Sequence, residues 1–154
     1  MHRTKSLILF LAIVVALGAS LSSFTNMAAG TRSPFAGNTD NGKIPITTSS
    51  EEARKEFLQG RDLVEKLLIQ DSIQHFDKAI ALDPNFALAE LNRAAVSPTG
   101  KEFFEHLKKA VSLSNKASSG EKLLILGTEA GANGSVAKQK EYLEQLVAAY
   151  PNDE

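Results

Sequence analysis

The chain has 154 residues, of which 43% are hydrophobic and 23% are charged, and this composition is typical of one ordinary globular domain. Its 17 basic and 18 acidic side chains give a net charge of -1, which excludes a general electrostatic attraction to nucleic acid or to anionic membranes. The absence of cysteine excludes a disulfide framework, a thiolate zinc site, a cysteine nucleophile and a lipid-modified cysteine.

The first 24 residues have the features of an export signal. His2, Arg3 and Lys5 form a basic start, residues 7–17 are an unbroken run of 11 apolar residues, and small residues follow. The run reaches the roughly 20 residues of a spanning helix only if the following glycine and serines are included. The pattern favours a cleaved signal peptide over residues 1–24, with an uncleaved N-terminal membrane anchor as the alternative. Either outcome predicts an exported protein that is periplasmic, secreted or anchored to the membrane by this segment.

Residues 25–48 differ in character from the segments on either side. Gly30, Pro34, Gly37, Gly42 and Pro45 interrupt a stretch that is rich in Thr, Ser and Asn, and its isolated apolar residues follow no period. Such a stretch buries too little apolar surface to offset the entropy lost on ordering. We therefore predict a flexible, disordered linker over residues 25–48.

Helical periodicity begins near Thr48 and continues to the end of the chain. Thr48 and Ser49 are each followed three residues later by a glutamate, which is the arrangement of a capping box at a helix start. Apolar residues then recur at three- and four-residue steps in six segments, separated by turn signals such as Asn133-Gly134. No segment shows sustained alternation with a period of two, so we predict an all-α domain over residues 49–154.

The sequence of this domain repeats itself. One constant shift along the chain places Gly60 on Gly127 and Pro84 on Pro151. A middle copy lies between them, because Ala94 stands midway between the two glycines, and this copy is three residues short between its helices. The units cover about residues 50–84, 85–117 and 118–152. A helix pair that repeats at about 34 residues is the signature of an α-solenoid.

This pattern resembles the tetratricopeptide repeat family. The first unit carries the resemblance best, with Gly60 in its first helix, Phe76 and Ala79 in its second, and the closing sequence Ala-Leu-Asp-Pro-Asn at residues 81–85. Glu56 departs from the family pattern, which prefers a large aromatic residue there. The resemblance implies an α-solenoid of about six helices in antiparallel pairs. It also implies repeat-packing residues at the helix crossings, namely Gly60, Phe76, Ala79, Ala94, Ala110 and Gly127.

The resemblance further implies that a peptide or protein binds in a concave groove lined by the first helix of each pair. The implied groove residues are Arg54, Phe57, Arg61, Leu88, Leu91, Asn92, Glu121, Leu124 and Thr128. Arg54 and Arg61 lie seven residues apart on one helix face, where they could receive a carboxylate. The Lys and Asn set with which some members hold a terminal carboxylate is not reproduced, since Phe57 and Arg61 occupy two of its places. The alternative for each apolar residue is a place in the core between the helices.

Other kinds of site lack support in the sequence. His75 and His106 occupy equivalent places in two units, but a metal site needs a further ligand at a suitable spacing. Residues 131–135 are glycine-rich and precede a helix, yet they have neither a preceding strand nor the Gly-Lys-Ser/Thr sequence of a phosphate loop. No serine lies in a nucleophile elbow, and the carboxylates are scattered over helix faces. We therefore predict no catalytic, metal-binding or cofactor-binding residues and no cofactor.

Together these features predict a non-catalytic scaffold of the bacterial cell envelope that binds a peptide or protein through its helical repeats. The bacterial assignment follows from the resemblance to exported repeat proteins, and the sequence does not identify the partner. One alternative is the N-terminal part of a longer envelope enzyme or transport component. A second is a structural self-assembly module. The last helix would leave some of its apolar residues facing water at the end of the array, namely some of Val136, Leu143, Leu146, Val147 and Tyr150. Self-association through this helix is therefore a further expectation.

Overall fold

The computed structural model describes residues 42–153, and within them the predicted all-α fold is confirmed. This part of the chain contains no strand. The predicted signal or anchor segment and residues 25–41 of the predicted linker lie outside the described residues. Within the described part, no helix combines the length and the apolarity needed to cross a bilayer. The helices are α1 (Glu51–Glu65), α2 (Ile69–Leu82), α3 (Ala87–Ala95), α4 (Gly100–Leu113), α5 (Ser119–Ala132) and α6 (Val136–Ala149), with a 3-10 turn at Ser114–Lys116.

The helices pack as three consecutive hairpins. The most extensive contacts join α1 with α2, α3 with α4, and α5 with α6. These hairpins correspond to the three units of the sequence. Between hairpins, α2 packs on α3, α4 packs on α5, and α3 also contacts α5. The central hairpin is therefore covered from both sides.

Helix α3 is the shortest of the six and lies at the centre of the fold. It has nine residues and ends before Pro98, because a residue that precedes proline disfavours helical geometry. Seven of its nine residues are buried, and these include Glu90 and Arg93. The shorter middle unit of the sequence is thus built on a helix enclosed on several sides by its neighbours.

The buried side chains form two separate cores. The larger core spans the first two hairpins and also includes Ile125 of α5. Its centre is aromatic, with the Phe57 ring centroid 5.9 Å from that of Phe76 and 4.9 Å from that of Phe86. The smaller core lies in the third hairpin around Leu123, Leu146 and Tyr150. The partly buried side chain of Leu124 packs against both cores.

Helix α1 begins after Ser50, whose side chain accepts a hydrogen bond from the backbone N–H of Ala53. The sequence pattern favours Thr48 or Ser49 as the cap, and the structure corrects this by one or two residues. The reason is that the hydroxyls of Thr48 and Ser49 both donate to Oδ2 of Asp83, at 2.6 and 3.3 Å. Those two side chains are consequently engaged by the chain that follows α2 instead of by the start of α1.

Residues 42–50, which we name the strap, lie against the helices in front of α1. The predicted linker includes residues 42–48, but order begins at least as early as Gly42. Gly42 O accepts a hydrogen bond from Asn152 N, and Ile44 N donates to Oδ1 of Asp153. At the other end the strap meets Asp83, which follows α2. The strap therefore extends from the third hairpin to the first.

Asp83 holds the strap with its carboxylate. Burial alone would raise the pKa of Asp83, but the hydrogen bonds from Thr48, Ser49 and Asn85 outweigh burial and hold the pKa below its ordinary value. The charged form of Asp83 is therefore favoured in the folded state. Its contribution to stability is present above the unfolded-state pKa and is lost as the pH falls through the lower folded-state pKa.

The first and third hairpins use the same type of helix ending. After α1, Leu67 N donates to Val64 O and Leu68 N donates to Leu63 O, with Leu67 in the left-handed region at a φ of 62°. This pattern is a Schellman motif, in which glycine is the usual left-handed residue. After α5, Gly134 has the equivalent place with a φ of 72°, and the shift that relates it to Leu67 is the one that relates Gly127 to Gly60.

The two equivalent positions give a matched test of backbone strain. Leu67→Gly should raise the free energy of unfolding by about 0.5 to 1 kcal/mol. The left-handed conformation costs a residue with a side chain about 1 to 2 kcal/mol, and glycine avoids this cost. Part of the benefit is cancelled because glycine loses more backbone entropy on folding than leucine does. The Leu67 side chain is 72% exposed, so little packing is lost. Gly134→Leu should lower the free energy of unfolding by about 1 kcal/mol. A Cβ at this position meets no atom within 4 Å, so the loss comes from the left-handed backbone conformation and not from a steric clash. Urea denaturation midpoints measure both, and equal shifts of the same sign would contradict this account.

Candidate functional site

The structure encloses five of the nine residues that the resemblance places in a groove. Phe57 and Glu121 are fully buried, and Leu88, Leu91 and Thr128 are less than a tenth exposed. The physical reason is the central position of α3, which contacts α2, α4 and α5 and so leaves little open surface on its hairpin. These five side chains belong to the interior of the described fold and do not line an open groove.

The other four groove residues are half-buried, and three of them already have partners in the fold. Arg54 Nη2 donates to Ile46 O of the strap at 2.7 Å. Asn92 Nδ2 donates to Leu88 O at 2.9 Å within its own helix. Leu124 packs between the two cores. Arg61 is therefore the groove residue that retains the most freedom to meet a partner.

Glu121 has a structural role that the sequence already signals. Ser118 Oγ accepts from Glu121 N, and Glu121 Oε2 accepts from Ser118 N at 2.7 Å, which makes a complete capping box at the start of α5. The spacing of serine and glutamate three residues apart is visible in the sequence. Glu121 Oε1 also accepts from Thr47 N at 2.9 Å, which no local pattern indicates.

All six residues expected to pack between the helices are buried. The closest fit is at Gly60, where an added Cβ would come within 2.7 Å of the Phe76 ring. A side chain at this position would therefore force the ring to move. Gly127, which occupies the equivalent place in the third hairpin, has more room, since its Cβ would lie 3.4 Å from Tyr142. Ala79, Ala94 and Ala110 are at most 1% exposed.

The accessible surface nearest the expected groove is one side of α1. We name it the α1 face. It holds a shallow, open depression lined by Glu51, Arg54, Lys55, Leu58, Gln59 and Asp62. Arg61 is not part of that lining, but it follows Leu58 by three residues on the helix and is therefore its neighbour on the surface, so we include it in the α1 face. Leu58 is 45% exposed there, although it is a large apolar residue. The face therefore combines an exposed aliphatic side chain with two arginines.

The geometry of Arg61 favours binding of a carboxylate. Its guanidinium carbon lies 5.9 Å from the centroid of the Phe57 ring, a position typical of a cation–π contact. Among residues 42–153, no carboxylate forms an ion pair with Arg61. The packed Phe57 ring thus orients a positive charge that has no carboxylate partner within that range, and a guanidinium is well suited to pair with one.

A repeated polar contact joins the two helices of the first hairpin and of the second. Glu56 Oε2 lies 2.7 Å from Nδ1 of His75, and Glu90 Oε2 lies 2.6 Å from Nδ1 of His106. Lys78 and Lys109 extend these pairs, each three residues beyond the histidine. The hydrogen bond from Lys78, and then that from His75, lowers the pKa of Glu56 from its ordinary value of 4.5.

The repeat pattern of the sequence contains a signal for these contacts. Glu56 and Glu90 are related by the same shift as Gly60 and Ala94, and the two histidines are three residues closer together, as the short middle unit requires. The third unit has Leu123 and Tyr142 at the matching places, and both contribute to its small core. At this position the two helices of each of the first two hairpins are therefore joined by a glutamate–histidine contact, whereas those of the third hairpin are joined by an apolar contact.

Arg93 connects the first two hairpins from a nearly buried position. Its Nε donates to Asp77 Oδ1 of α2 at 2.7 Å, and its Nη2 donates to Glu102 Oε2 of α4 at 3.2 Å. Its Nη1 donates to Ser97. The side chain is only 9% exposed, so its charge is compensated by the fold and is not presented to solvent.

The histidines considered as metal ligands are instead engaged by glutamates. Each of His75 and His106 pairs with the first helix of its own hairpin. Within residues 42–153, no group of three or more His, Asp or Glu side chains is arranged to hold a metal ion. Of the apolar residues considered for an exposed edge on the last helix, Val136 and Val147 are 56% and 66% exposed. Leu146 and Tyr150 are buried instead, because they pack with Leu123 in the smaller core. Self-association through α6 stays a prediction.

No family model, curated protein or solved structure matches the chain. The resemblance to the tetratricopeptide repeat family therefore stays a prediction from the residues quoted for it. Among the surfaces described above, the α1 face is the most exposed part of the predicted binding region.

The Glu56 contact predicts a pH-dependent loss of stability. Glu56→Gln should lower the melting temperature by a few degrees at pH 7, because it removes a carboxylate that two hydrogen bonds stabilise. The difference from the wild type should shrink as the pH falls below 4.5, since the carboxylate contributes fully above its unfolded-state pKa and loses that contribution as the pH passes through the lower folded-state pKa.

The matched control is Glu105→Gln. Glu105 also pairs with a lysine, Lys101, but both side chains are well exposed, so the change should have little effect at any pH. Melting curves from pH 7 to pH 3 measure both variants. A Glu56→Gln deficit that is unchanged at pH 3 would contradict the electrostatic explanation.

Proposed function

We propose that this chain is a non-catalytic binding module of the bacterial cell envelope, built from tetratricopeptide-like helix pairs and exported by its N-terminal segment. The repeat register and the three helix hairpins support the repeat architecture. The basic start and apolar run of the sequence support export. The alternatives of a larger enzyme or transport component and of a self-assembly module make different predictions for the surfaces below.

The observation that carries the binding proposal is the state of Arg61. A half-buried arginine that is oriented by an aromatic ring, and that has no carboxylate partner among the described residues, matches the usual composition of binding hot spots. Leu58 and Arg54 lie on the same side of α1, one and two helical turns before Arg61. We therefore assign the α1 face, in place of a groove through all three hairpins, as the partner surface.

The chemistry of the face suggests the kind of partner. An arginine fork pairs with a carboxylate, and an exposed leucine beside it favours an aliphatic or aromatic neighbour. Lys55 adds a second exposed cation, while Asp62 is engaged by Lys66. The expected ligand is thus a peptide or protein segment with an acidic residue next to an apolar one.

Site-specific photo-crosslinking tests this assignment. A photoreactive residue at position 58 should give a discrete crosslinked product in bacterial envelope extract, because that position lies at the centre of the α1 face. The same residue at position 82 should give none, since Leu82 has a similar exposure of 43% against 45% but lies at the end of α2. Adding Arg61→Glu should reduce the position-58 product about tenfold.

The control for the charge change is Lys138→Glu, an exposed position on α6. It should leave the position-58 product unchanged. Equal crosslinking from positions 58 and 82, or a product insensitive to Arg61→Glu, would refute the α1 face as the partner surface.

A further inference from the structure

The strap binds the helices in the manner of an extended peptide ligand. Three of its backbone N–H groups donate to carboxylates: Ile44 to Asp153 at 3.2 Å, Thr47 to Glu121 at 2.9 Å, and Ser49 to Asp83 at 3.0 Å. Two backbone carbonyls of the strap also accept hydrogen bonds. Pro45 O accepts from Ser118 Oγ, and Ile46 O accepts from Arg54 Nη2. These bonds come from side chains outside the strap, which recognise the extended backbone itself.

Two aliphatic side chains add selectivity to this backbone recognition. Ile44 sits over Gly120 and beside Tyr150, and a Cβ at Gly120 would come within 2.9 Å of Ile44 Cγ1 and Cγ2. The absence of a side chain at Gly120 therefore makes the space for a β-branched residue. Ile46 packs against the larger core. The surface thus takes one aliphatic residue in each of two places, with a proline between them.

A hydroxyl-bearing pair completes the pattern. Thr48 Oγ1 donates to Asp83 Oδ2 at 2.6 Å, and Thr47 Oγ1 accepts from Ser118 N at 3.2 Å. The segment that contacts the helices, residues 44–48, therefore has the sequence aliphatic, proline, aliphatic, threonine, threonine. The residues that contact this segment come from the start of α5, from the chain just after α2 and α6, and from Arg54 of α1.

The strap is held less firmly than the helices that it contacts. None of its residues is buried, and Lys43, Thr47 and Ser49 are exposed. Within residues 42–153 it is not paired with a strand, and most of its hydrogen bonds are made to side chains. Segments with few buried contacts open at a lower free energy than the core does.

We propose that the strap occupies, within its own chain, a peptide-binding site that also accepts an extended segment of the same chemistry from a partner protein. The segment presents two aliphatic residues on either side of a proline, followed by two hydroxyl-bearing residues. Because the strap is attached to α1, its high effective concentration makes it a competitor that the partner segment must displace. This site shares Arg54 with the α1 face, since Arg54 lines that face and also donates to Ile46 O. The carboxylates that bind the strap backbone lie at the start of α5 and just after α2 and α6, so the proposal stands even if the α1 face binds nothing.

A labelled peptide with the sequence of residues 42–50 serves as the probe. The full-length chain carrying Ile44→Ser and Ile46→Ser should bind this peptide at least about tenfold more tightly than the wild type does, because its own strap competes poorly. A peptide with the same two serine substitutions should not bind. Fluorescence anisotropy measures the affinities, and circular dichroism checks that the variant keeps its helices.

The pocket is tested with a matched pair of glycine substitutions in the same double variant. Gly120→Val should abolish peptide binding, since it fills the space over which Ile44 sits. Gly100→Val should leave binding unchanged, because a Cβ at Gly100, at the start of α4, meets no atom within 4 Å. Equal binding by the two glycine variants would overturn the proposal.

The remaining outcomes are also decisive. A folded double variant that binds the strap peptide no better than the serine peptide would show that the strap is only a structural element. If the double variant does not fold, Ile44→Ala replaces it under the same criteria, and loss of folding there too would make the strap an integral part of the fold. Exchange of straps between two copies, seen as concentration-dependent dimerisation of the wild type, would assign the site to self-association and would overturn the partner assignment.

Discussion

The arrangement of this domain depends on the buried and half-buried carboxylates that hold the strap. Asp83 and Glu121 lie on different hairpins, and each accepts a backbone hydrogen bond from the same short segment. An extended segment cannot satisfy its own backbone groups, so these acceptors offset the cost of placing it against the helices. Because of them, the strap lies across the array from Asp153 to the start of α1.

This connection matters because the hydrophobic core is divided. The third hairpin has a small core of its own, and a single hairpin buries too little surface to be stable alone. Ile44 packs with that core, and Ile46 packs with the larger one. The third hairpin is thus joined to the other two by Ile125 and Leu124 of α5, which pack with the larger core, and by the strap.

The same packing explains why most of the expected groove residues are enclosed while one side of α1 stays accessible. The short helix α3 contacts α2, α4 and α5, so that Leu88, Leu91 and Thr128 are interior residues. The outer side of α1 has no such neighbour among the described residues and keeps Leu58 exposed. The hairpins therefore provide a stable support, and the proposed recognition is concentrated on the first of them and on the strap.

The local features of the fold were predictable from the sequence, while those that depend on distant contacts were not. The 3.6-residue period predicts the helices, and the repeat register predicts the small residue that faces Phe76. The Asn133-Gly134 turn signal predicts the left-handed glycine at position 134. The burial of Leu88 and Leu91 could not be predicted, because it depends on how close α5 comes to α3. The strap has no period, and the three carboxylates that accept from its backbone lie 34 to 109 residues away along the chain.

Hydrogen exchange tests most directly whether the strap couples the third hairpin to the rest of the domain. Ile44→Ala removes part of a half-buried side chain that packs only with the smaller core, which should cost roughly 1 to 2 kcal/mol. Amide exchange in α5 and α6 should become about tenfold faster, while exchange in α1 and α2 should change little. Unchanged exchange in the third hairpin, or equal acceleration in all three hairpins, would contradict this coupling.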